Sequence, residues 1–431
     1  MPSPARSERE SRLAMILATV LSAVLGAWLL LLGLFARRLH ADWREPVLAM
    51  PVLIVESDDW GPGPPADGAL LHGLLQVLRK HRGVDGRPPV ITLGVVLAAP
   101  GVGVSVAGDM APEYLPSMLD DECYSGILAA MREGSAAGLF ALQLHGHEHF
   151  WPPALMKAAR HDPQARAFLQ GGPGVPRHEM LASRLQSRWV DAASLPSVAL
   201  DGEAIESAAA EETTCFRRVF GAPARVAVPV TFVWTTDVEA AWARRGIRVV
   251  VTPGGRNVGR DAEGRLVADG SILRNGDPAP GGMVYVVRDV YFEPALGHTA
   301  EGTLQQIRER HRLGRPALVE MHRFNFTGDQ ARTDQAFGEL DRLLAGALAA
   351  IPQLRFMSTE ALAVALRTRN PALVDRRPAA RLRTFILRAA TLHRLRKLAW
   401  LSGLALPAVA VFAAASLLLS GAGHPRSAVG S

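Results

Sequence analysis

The chain predicts an α/β fold, a distorted (β/α) barrel of about seven strands, flanked by an N-terminal and a C-terminal transmembrane helix. Three observations lead there. Short Val/Ile/Leu runs alternate with helical patterns, polar clusters stand at the C-terminal ends of several of those runs, and two long uncharged apolar stretches lie outside them. Near-continuous apolar runs fit strands covered on both faces, and their alternation with helices implies parallel pairing.

In order, the expected strands are Val52–Val55, Val90–Leu97, Phe140–Leu144, Arg225–Val230, Ile247–Val251, Val284–Val287 and Ala317–Met321. Helical periodicity falls between them at Ala69–His81, Met118–Ala137, Gly202–Phe220, Thr236–Arg245, Thr303–Arg312 and Gln335–Ala350. A barrel is favoured over an open sheet because chemistry-bearing residues gather at the C-terminal ends of different strands. The Arg-, Gly- and Pro-rich region Pro152–Pro196 reads as a long excursion over the barrel mouth. The stretch Gly254–Gly282 reads as a hairpin or loop insertion.

The 431 residues are 48% hydrophobic, and the two apolar stretches account for the excess. Leu13–Ala36 and Leu398–Leu419 each exceed the roughly 20 residues needed to cross a bilayer. No small-residue cleavage site follows the first, so it reads as a retained anchor of an integral protein of a bacterial inner membrane. Between Arg376 and Lys397 lie eight basic residues and no acid. This juxtamembrane segment is expected to lie on anionic membrane lipids and to place its end, and with it the catalytic domain, in the cytoplasm. No nucleic-acid-reading surface is recognisable. Two cysteines without CxxC spacing, Cys123 and Cys215, exclude a disulfide scaffold and a thiolate zinc site. One catalytic domain, Pro46–Arg367, fills the space between the spans.

The chemistry is carried by two clusters. Pro51–Gly61 is an apolar run ending in Asp58-Asp59, and Leu142–His149 is another ending in His145, His147 and His149. A carboxylate with two imidazoles and one open position is the donor set of a hydrolytic zinc-type site. One of the adjacent acids can bind the metal while the other reaches a water. If the strand breaks at Gly146, His145 and His149 converge; if it continues, His145 and His147 do. Glu148 is given a supporting role. His322 closes the last clear strand and suits a proton donor, because its pKa lies near neutrality. Arg323 and Asn325 follow it as substrate-oxygen binders. Arg225 and the segment Phe232–Trp234, with Trp234 as a sugar-stacking platform, are further substrate-binding candidates. Asp237, Arg288, Asp289 and Glu293 are rim candidates, Arg288-Asp289 reading as an ion pair able to orient another carboxylate.

This ordered set resembles the polysaccharide deacetylase (NodB-homology) family of carbohydrate esterases. The residues that carry the resemblance are Ser57-Asp58-Asp59-Trp60-Gly61, His145-Gly-His-Glu-His149, Glu320-Met321-His322 and the tail Arg355–Leu362. The resemblance implies a divalent metal, zinc, held by Asp59, His145 and His149, with Asp58 as general base and His322 as general acid. The implied reaction removes an N-acyl group from an amino sugar of a poly- or lipid-linked saccharide. Several positions depart from the family pattern and mark a divergent member. Trp60 displaces a glycine, Gly146 stands for Ser or Thr, Glu320 replaces a leucine, and Arg225…Pro229 only loosely echoes the family's Arg-x-Pro motif. Two other functions compete: an amidohydrolase-like enzyme using His145 and His147 as an HxH pair, and a non-catalytic membrane-anchored carbohydrate-binding or scaffold protein.

Overall fold

The structure, a computed structural model, describes residues 4–101, 114–170 and 178–405. The chain divides into two units, Leu48–Val374 and a smaller one built from Met1–Val47 with Asp375–Ser431.

The larger unit is built on one sheet. Its strands are β1 (Val52–Trp60), β2 (Ile91–Val95), β3 (Phe140–Leu144), β4 (Val226–Ala227), β5 (Val249–Thr252), β6 (Pro278–Ala279), β7 (Met283–Val287), β8 (Val290–Tyr291), β9 (Ala317–His322) and β10 (Arg355–Phe356). They pair in the order β6-β7-β5-β4-β3-β2-β1-β9-β8, with β10 also on β1. Every pairing is parallel except β6 with β7. Seven of these strands fall on the expected runs. The two-residue strands β6, β8 and β10 add to them.

Curling of the sheet follows from chain geometry. Strands β7 and β8 stand towards opposite ends of the ladder, yet only Arg288 and Asp289 separate them in sequence. Two residues reach no further than about 10 Å, so the sheet's ends must come round towards each other. The sheet is therefore curled into a half-barrel whose two ends are linked along this seam by the chain itself, without a β7–β8 ladder among the described residues.

Alternation along the strands sorts the core into two faces. Leu53 and Val55 pack with Leu71, Leu74 and Leu78 of the helix Ala66–Arg79 on the outside. Val52 and Ile54 pack with Val226, Val249, Val284 and Leu318, and with Leu362 and Leu366 of the helix Thr359–Arg367. Since β1 does not pair with β4, β5 or β7, these contacts cross the concave interior. The same even-numbered face continues upward from apolar to charged, through Glu56 and Asp58 on β1 and Glu320 and His322 on β9. Helices fall close to the expected ones and are conventionally ended. Asp201, Thr299, Asp329 and Ser358 cap their N-termini through side-chain oxygens, and Gly221 closes Gly202–Phe220 in the left-handed conformation.

Within Pro152–Pro196 the described residues form helices Pro152–Ala159 and Pro163–Gln170 and two 3-10 turns, His178–Met180 and Ser183–Gln186. Phe150, Leu155, Phe168, Leu181 and Leu185 give this excursion its own apolar cluster. Gly254–Gly282 contains the hairpin Asn257–Arg260/Leu266–Ala268.

In the smaller unit, Arg12–Leu34 of the first helix is long and apolar enough to cross a membrane, with mean hydropathy 2.4. It is the one such helix among the described residues. The expected second span lies outside the described residues from position 406 on. Its described start is the end of the helix His393–Leu401, followed by a turn with Gly403 at φ 72°. The basic segment is folded. It forms the helices Pro378–Ala390 and His393–Leu401, and Arg388, 1% exposed, donates to the carbonyls of Asp42, Glu45 and Pro46 at 2.9–3.0 Å. Those carbonyls lie around the end of the helix Ala36–Arg44, where a cation is favoured.

Candidate metal centre

Strand β1 carries the two acids further than its apolar run suggested. It runs to Trp60, with all nine residues buried. Its pairing with β2 slips between Ser57 and Trp60, and Asp59 lies there at φ 71°. Such a bulge re-aims side chains, and Asp is among the residues that tolerate the left-handed region. Both acids consequently line one cavity instead of diverging across the sheet. Trp60 belongs to the core: it is fully buried, and its Nε1 donates to Ser57 Oγ at 2.8 Å. Gly94 on β2 makes room for Asp58, because a Cβ there would stand 2.1 Å from Asp58 Oδ1.

The histidines follow β3. Gly146 sits at φ 103°, where a Cβ would fall 2.7 Å from the Glu148 carbonyl, so the Ser or Thr of the family pattern has no place here. The break turns the chain so that His145 and His149 both reach Asp59, each Nε2 lying 3.3 Å from Asp59 Oδ1. His145 Nδ1 donates to the Val228 carbonyl at 3.0 Å, which fixes its tautomer and leaves Nε2 to bind. His147 turns away. Its Nδ1 hydrogen-bonds Glu148 Oε1 at 2.8 Å, and against the downward push of burial Cys215 and Glu148 push its pKa up to about 9. Glu148 in turn accepts from Tyr114 Oη at 2.9 Å and pairs with buried Arg188. The HxH pair is therefore not assembled at Asp59.

A residue that sequence reasoning missed completes the cluster. His178, from the excursion over the mouth, places Nε2 3.3 Å from Asp59 Oδ2 and stacks on His149 at 3.8 Å between ring centroids. One donor atom each from Asp59, His149 and His178 all lie within 4.8 Å of one another. The only sequence signal was a histidine within the segment expected over the barrel mouth.

The donor set fits a divalent cation. Ligand atoms about 2.0–2.1 Å from one zinc lie about 3.3 Å apart at tetrahedral angles, matching the carboxylate–imidazole distances. Asp59 Oδ1 and His149 Nδ1 are buried without a hydrogen-bond partner. Imidazole and carboxylate together suit a divalent first-row transition metal. Burial alone would raise the Asp59 pKa, but His178 and His149 hold it well below the usual range.

Beside the centre stands a second group. Arg288, at the barrel seam and 1% exposed, lies 2.5 Å from Asp58 Oδ2 and 2.6 Å from Glu56 Oε2, with Glu320 Oε1 at 3.7 Å. Burial pushes the Asp58 carboxyl up; Arg288, His145 and His322 more than offset it, so Asp58 stays ionised below its ordinary value. Asp58 Oδ1 is left without a partner. The expected pair of Arg288 with Asp289 is absent from this arrangement: Asp289 lies 3.3 Å from Arg310 instead.

His322 Nδ1 donates to Glu293 Oε1 at 2.6 Å. Burial works against its proton, yet Glu293 and the nearby acids push its pKa up to about 10. Asn325 donates to the other Glu293 oxygen and accepts from Ala295 N at 3.1 Å. It is 1% exposed and positions Glu293, so it is not available to substrate oxygens.

A cavity of about 250 Å³ joins these groups, lined by Asp58, Asp59, His145, His149, His178, Glu320, His322, Phe232 and Phe324 among others. The remaining substrate-binding candidates lie off it. Arg323 is buried, 3.2 Å from Asp67, and lines a separate space of about 20 Å³ behind Asp59. Arg225 precedes β4, at the strand end away from the mouth, and donates to the Gly246 carbonyl at 3.1 Å. Trp234 is fully buried, its Nε1 donating to Glu239 Oε1 at 2.8 Å. Asp237 lies on the helix Thr236–Arg244. The aromatic residues that do face the cavity are Phe232 and Phe324.

No family model matches the sequence, and no curated protein does. Among solved structures the chain is similar to 4-alpha-glucanotransferase from Thermococcus litoralis, with 10% identity and TM-score 0.38 over 73% of this chain and 40% of that one. The chain thus spans less than half of that enzyme's length. It is similar to a family 4 acetyl xylan esterase from Clostridium thermocellum, solved with cobalt, at 11% identity and TM-score 0.35 over 72% of this chain and 89% of that one. It is also similar to a CE4 family pseudoenzyme from Bacillus anthracis, at 10% identity and TM-score 0.36 over 73% of this chain and 66% of that one. At these values the chemistry has to be read from the side chains of this chain alone.

Proposed function

We propose that this chain is a metal-dependent hydrolase that removes an N-acyl group from an amino sugar of a saccharide, anchored to a membrane by its apolar N-terminal helix. The observation that carries the reading is the convergence of Asp59, His145, His149 and His178 beside a separate, ionised Asp58 and a protonated His322.

Asp59, His149 and His178, whose donor atoms lie within 4.8 Å of one another, would hold the cation and leave a position open for water, with His145 beside them at Asp59 Oδ1. Bound there, a divalent metal supplies a Lewis acid for the amide carbonyl and lowers the pKa of water. Asp58 Oδ1, unpartnered and held basic only as far as Arg288 allows, accepts the proton of the attacking water. His322 gives its Nε2 proton to the departing amine, while Glu293 keeps the ring oriented through Nδ1. Phe232 and Phe324 offer faces on which a sugar ring can stack. Two titratable groups with pKa values pushed apart, an acid low and an imidazole high, are what separate base and acid roles require.

The test uses the full chain in detergent. Elemental analysis should give one divalent metal per chain, and N-acetylhexosamine oligomers should release acetate. Asp58→Asn should keep the metal and lower turnover about 10²- to 10⁴-fold. Metal-free folded protein, or an Asp58→Asn variant of full activity, would sink the proposal.

A further inference from the structure

In the smaller unit, charge and apolar surface change places along one short helix. The exposed side chains of His393–Leu401 are His393, Arg394, Arg396 and Lys397 in its first half and Leu398, Trp400 and Leu401 in its second. Trp400 and Leu401 are 58% and 74% exposed. Leu395 and Ala399, between them, are buried in one apolar cluster with Leu31, against which Trp28 and Phe35 also pack. This helix therefore lies along the end of the apolar helix Arg12–Leu34. Its basic half is the half nearer Leu34, because the preceding helix Pro378–Ala390 runs beside Ala36–Arg44. Phe385 packs edge-on against Trp43 there, and Arg388 donates to the carbonyls of Asp42 and Glu45. Polarity thus changes along the axis of His393–Leu401, whereas a helix lying flat on a membrane divides it around the axis. Arg38, also exposed, follows Leu34 by four residues, about 6 Å along a helix, and joins the same level.

We infer that Arg38, Arg394, Arg396 and Lys397 form a binding site for the phosphate groups of anionic phospholipids. This rests on the membrane anchor proposed above and is independent of the hydrolase chemistry. The apolar helix sets the depth of the hydrocarbon, so its end at Leu34 marks the level at which headgroups begin. Cations at that level, with tryptophan and leucine deeper in, is the order these side chains take at a membrane surface. Charge complementarity selects the lipid. No acid occurs between Arg376 and Lys397, and Arg394, Arg396 and Lys397 form no ion pair among the described residues. Arg396 has only the ring of His393, 3.0 Å from its Nδ1. A zwitterionic headgroup would bring a further cation into this cluster; an anionic one brings phosphate charge alone. The exposed Trp400 and Leu401 continue the apolar surface of Arg12–Leu34, which points to a bilayer as the occupant and against a soluble acidic partner.

The experiment reconstitutes the full chain into nanodiscs of phosphatidylcholine alone and of phosphatidylcholine mixed with phosphatidylglycerol. Native mass spectrometry then counts the lipids that stay bound. From the mixed bilayer, wild type should retain phosphatidylglycerol over phosphatidylcholine by about 10- to 100-fold, as expected of several cations acting together at a headgroup. The triple variant Arg394→Gln, Arg396→Gln, Lys397→Gln should bring that ratio to within a few-fold of one. Arg394→Lys with Arg396→Lys, which keeps the charge, should leave it high. A control that removes the same charge elsewhere, from the exposed Arg87, Arg308 and Arg312 by Gln substitution, should also leave it high. An equal ratio in wild type, an unchanged ratio in the triple Gln variant, or a ratio lost in the control overturns the inference. Displacement of the lipid by millimolar inorganic phosphate would also overturn it, because the site would then take free phosphate. Entry into both bilayers without selectivity leaves the anchor standing and sinks the lipid site alone. Failure to enter either bilayer sinks the anchor and the lipid site together.

Discussion

Replacing Arg288 by methionine removes the only arginine or lysine side chain within 4 Å of Glu56 and Asp58 among the described residues. Both carboxylates are at most 2% exposed, so neither regains water when the guanidinium goes. At separations of 2.5–2.6 Å and an effective dielectric of about 20, each contact is worth roughly 6 kcal/mol before desolvation is subtracted. Removing one partner of such a buried set leaves uncompensated charge and typically costs about 3–5 kcal/mol. Much of that is recovered if the acids pick up protons, which they do more readily without the cation. Arg288→Met should thus lower stability by about 3 kcal/mol at neutral pH, and by clearly less at pH 5. The acid limb of the pH–rate profile, set by Asp58, should move upward. Urea unfolding followed by tryptophan fluorescence at the two pH values measures the first effect, and acetate release against pH measures the second. A loss below about 1 kcal/mol at neutral pH, or an unmoved acid limb, would show that Arg288 does not hold Asp58 ionised.

The ligand set is tested by elemental analysis of single variants. His149→Ala should lose the metal, His178→Ala should bind it more weakly, and His147→Ala should keep it, since His147 faces Glu148. Retention in His149→Ala with loss in His147→Ala would revive the HxH pair. The Glu293–His322 bond makes a pH prediction. Its folded pKa of about 10 stands above the ordinary 6.5, so its contribution to stability is complete below about pH 6.5 and is lost as pH rises towards 10. Glu293→Gln should draw the alkaline limb of turnover down from about 10 towards neutrality; a limb that stays in place would remove Glu293 from that role.

What could be read in the sequence was whatever announces itself locally. Seven short apolar runs match seven strands, and abrupt ends at Asp58-Asp59, His145–His149 and His322 marked where polar side chains gather. Two-residue strands such as Val290–Tyr291 and Arg355–Phe356 are too short to carry a period, and they exist because longer neighbours template them. The bulge at Asp59 is a register property of two strands and has no signature in one. His178 stands in irregular chain, so only tertiary folding brings it to Asp59. Arg225 and Trp234 misled for a related reason. Residue type suggested saccharide binding, but position on the strand set Arg225 at the wrong end, and Glu239 five residues on gave the indole N–H of Trp234 a buried partner.

The seam of the barrel has a consequence for regulation by heat and pressure. A curled sheet opens most easily where no ladder zips it, between β7 and β8, and Arg288 sits in that gap. An opening there would withdraw the counter-ion from Asp58 and favour a proton on it. On the proposed reaction such an opening would also silence the base, so activity should fade at a lower temperature than the one at which the protein melts.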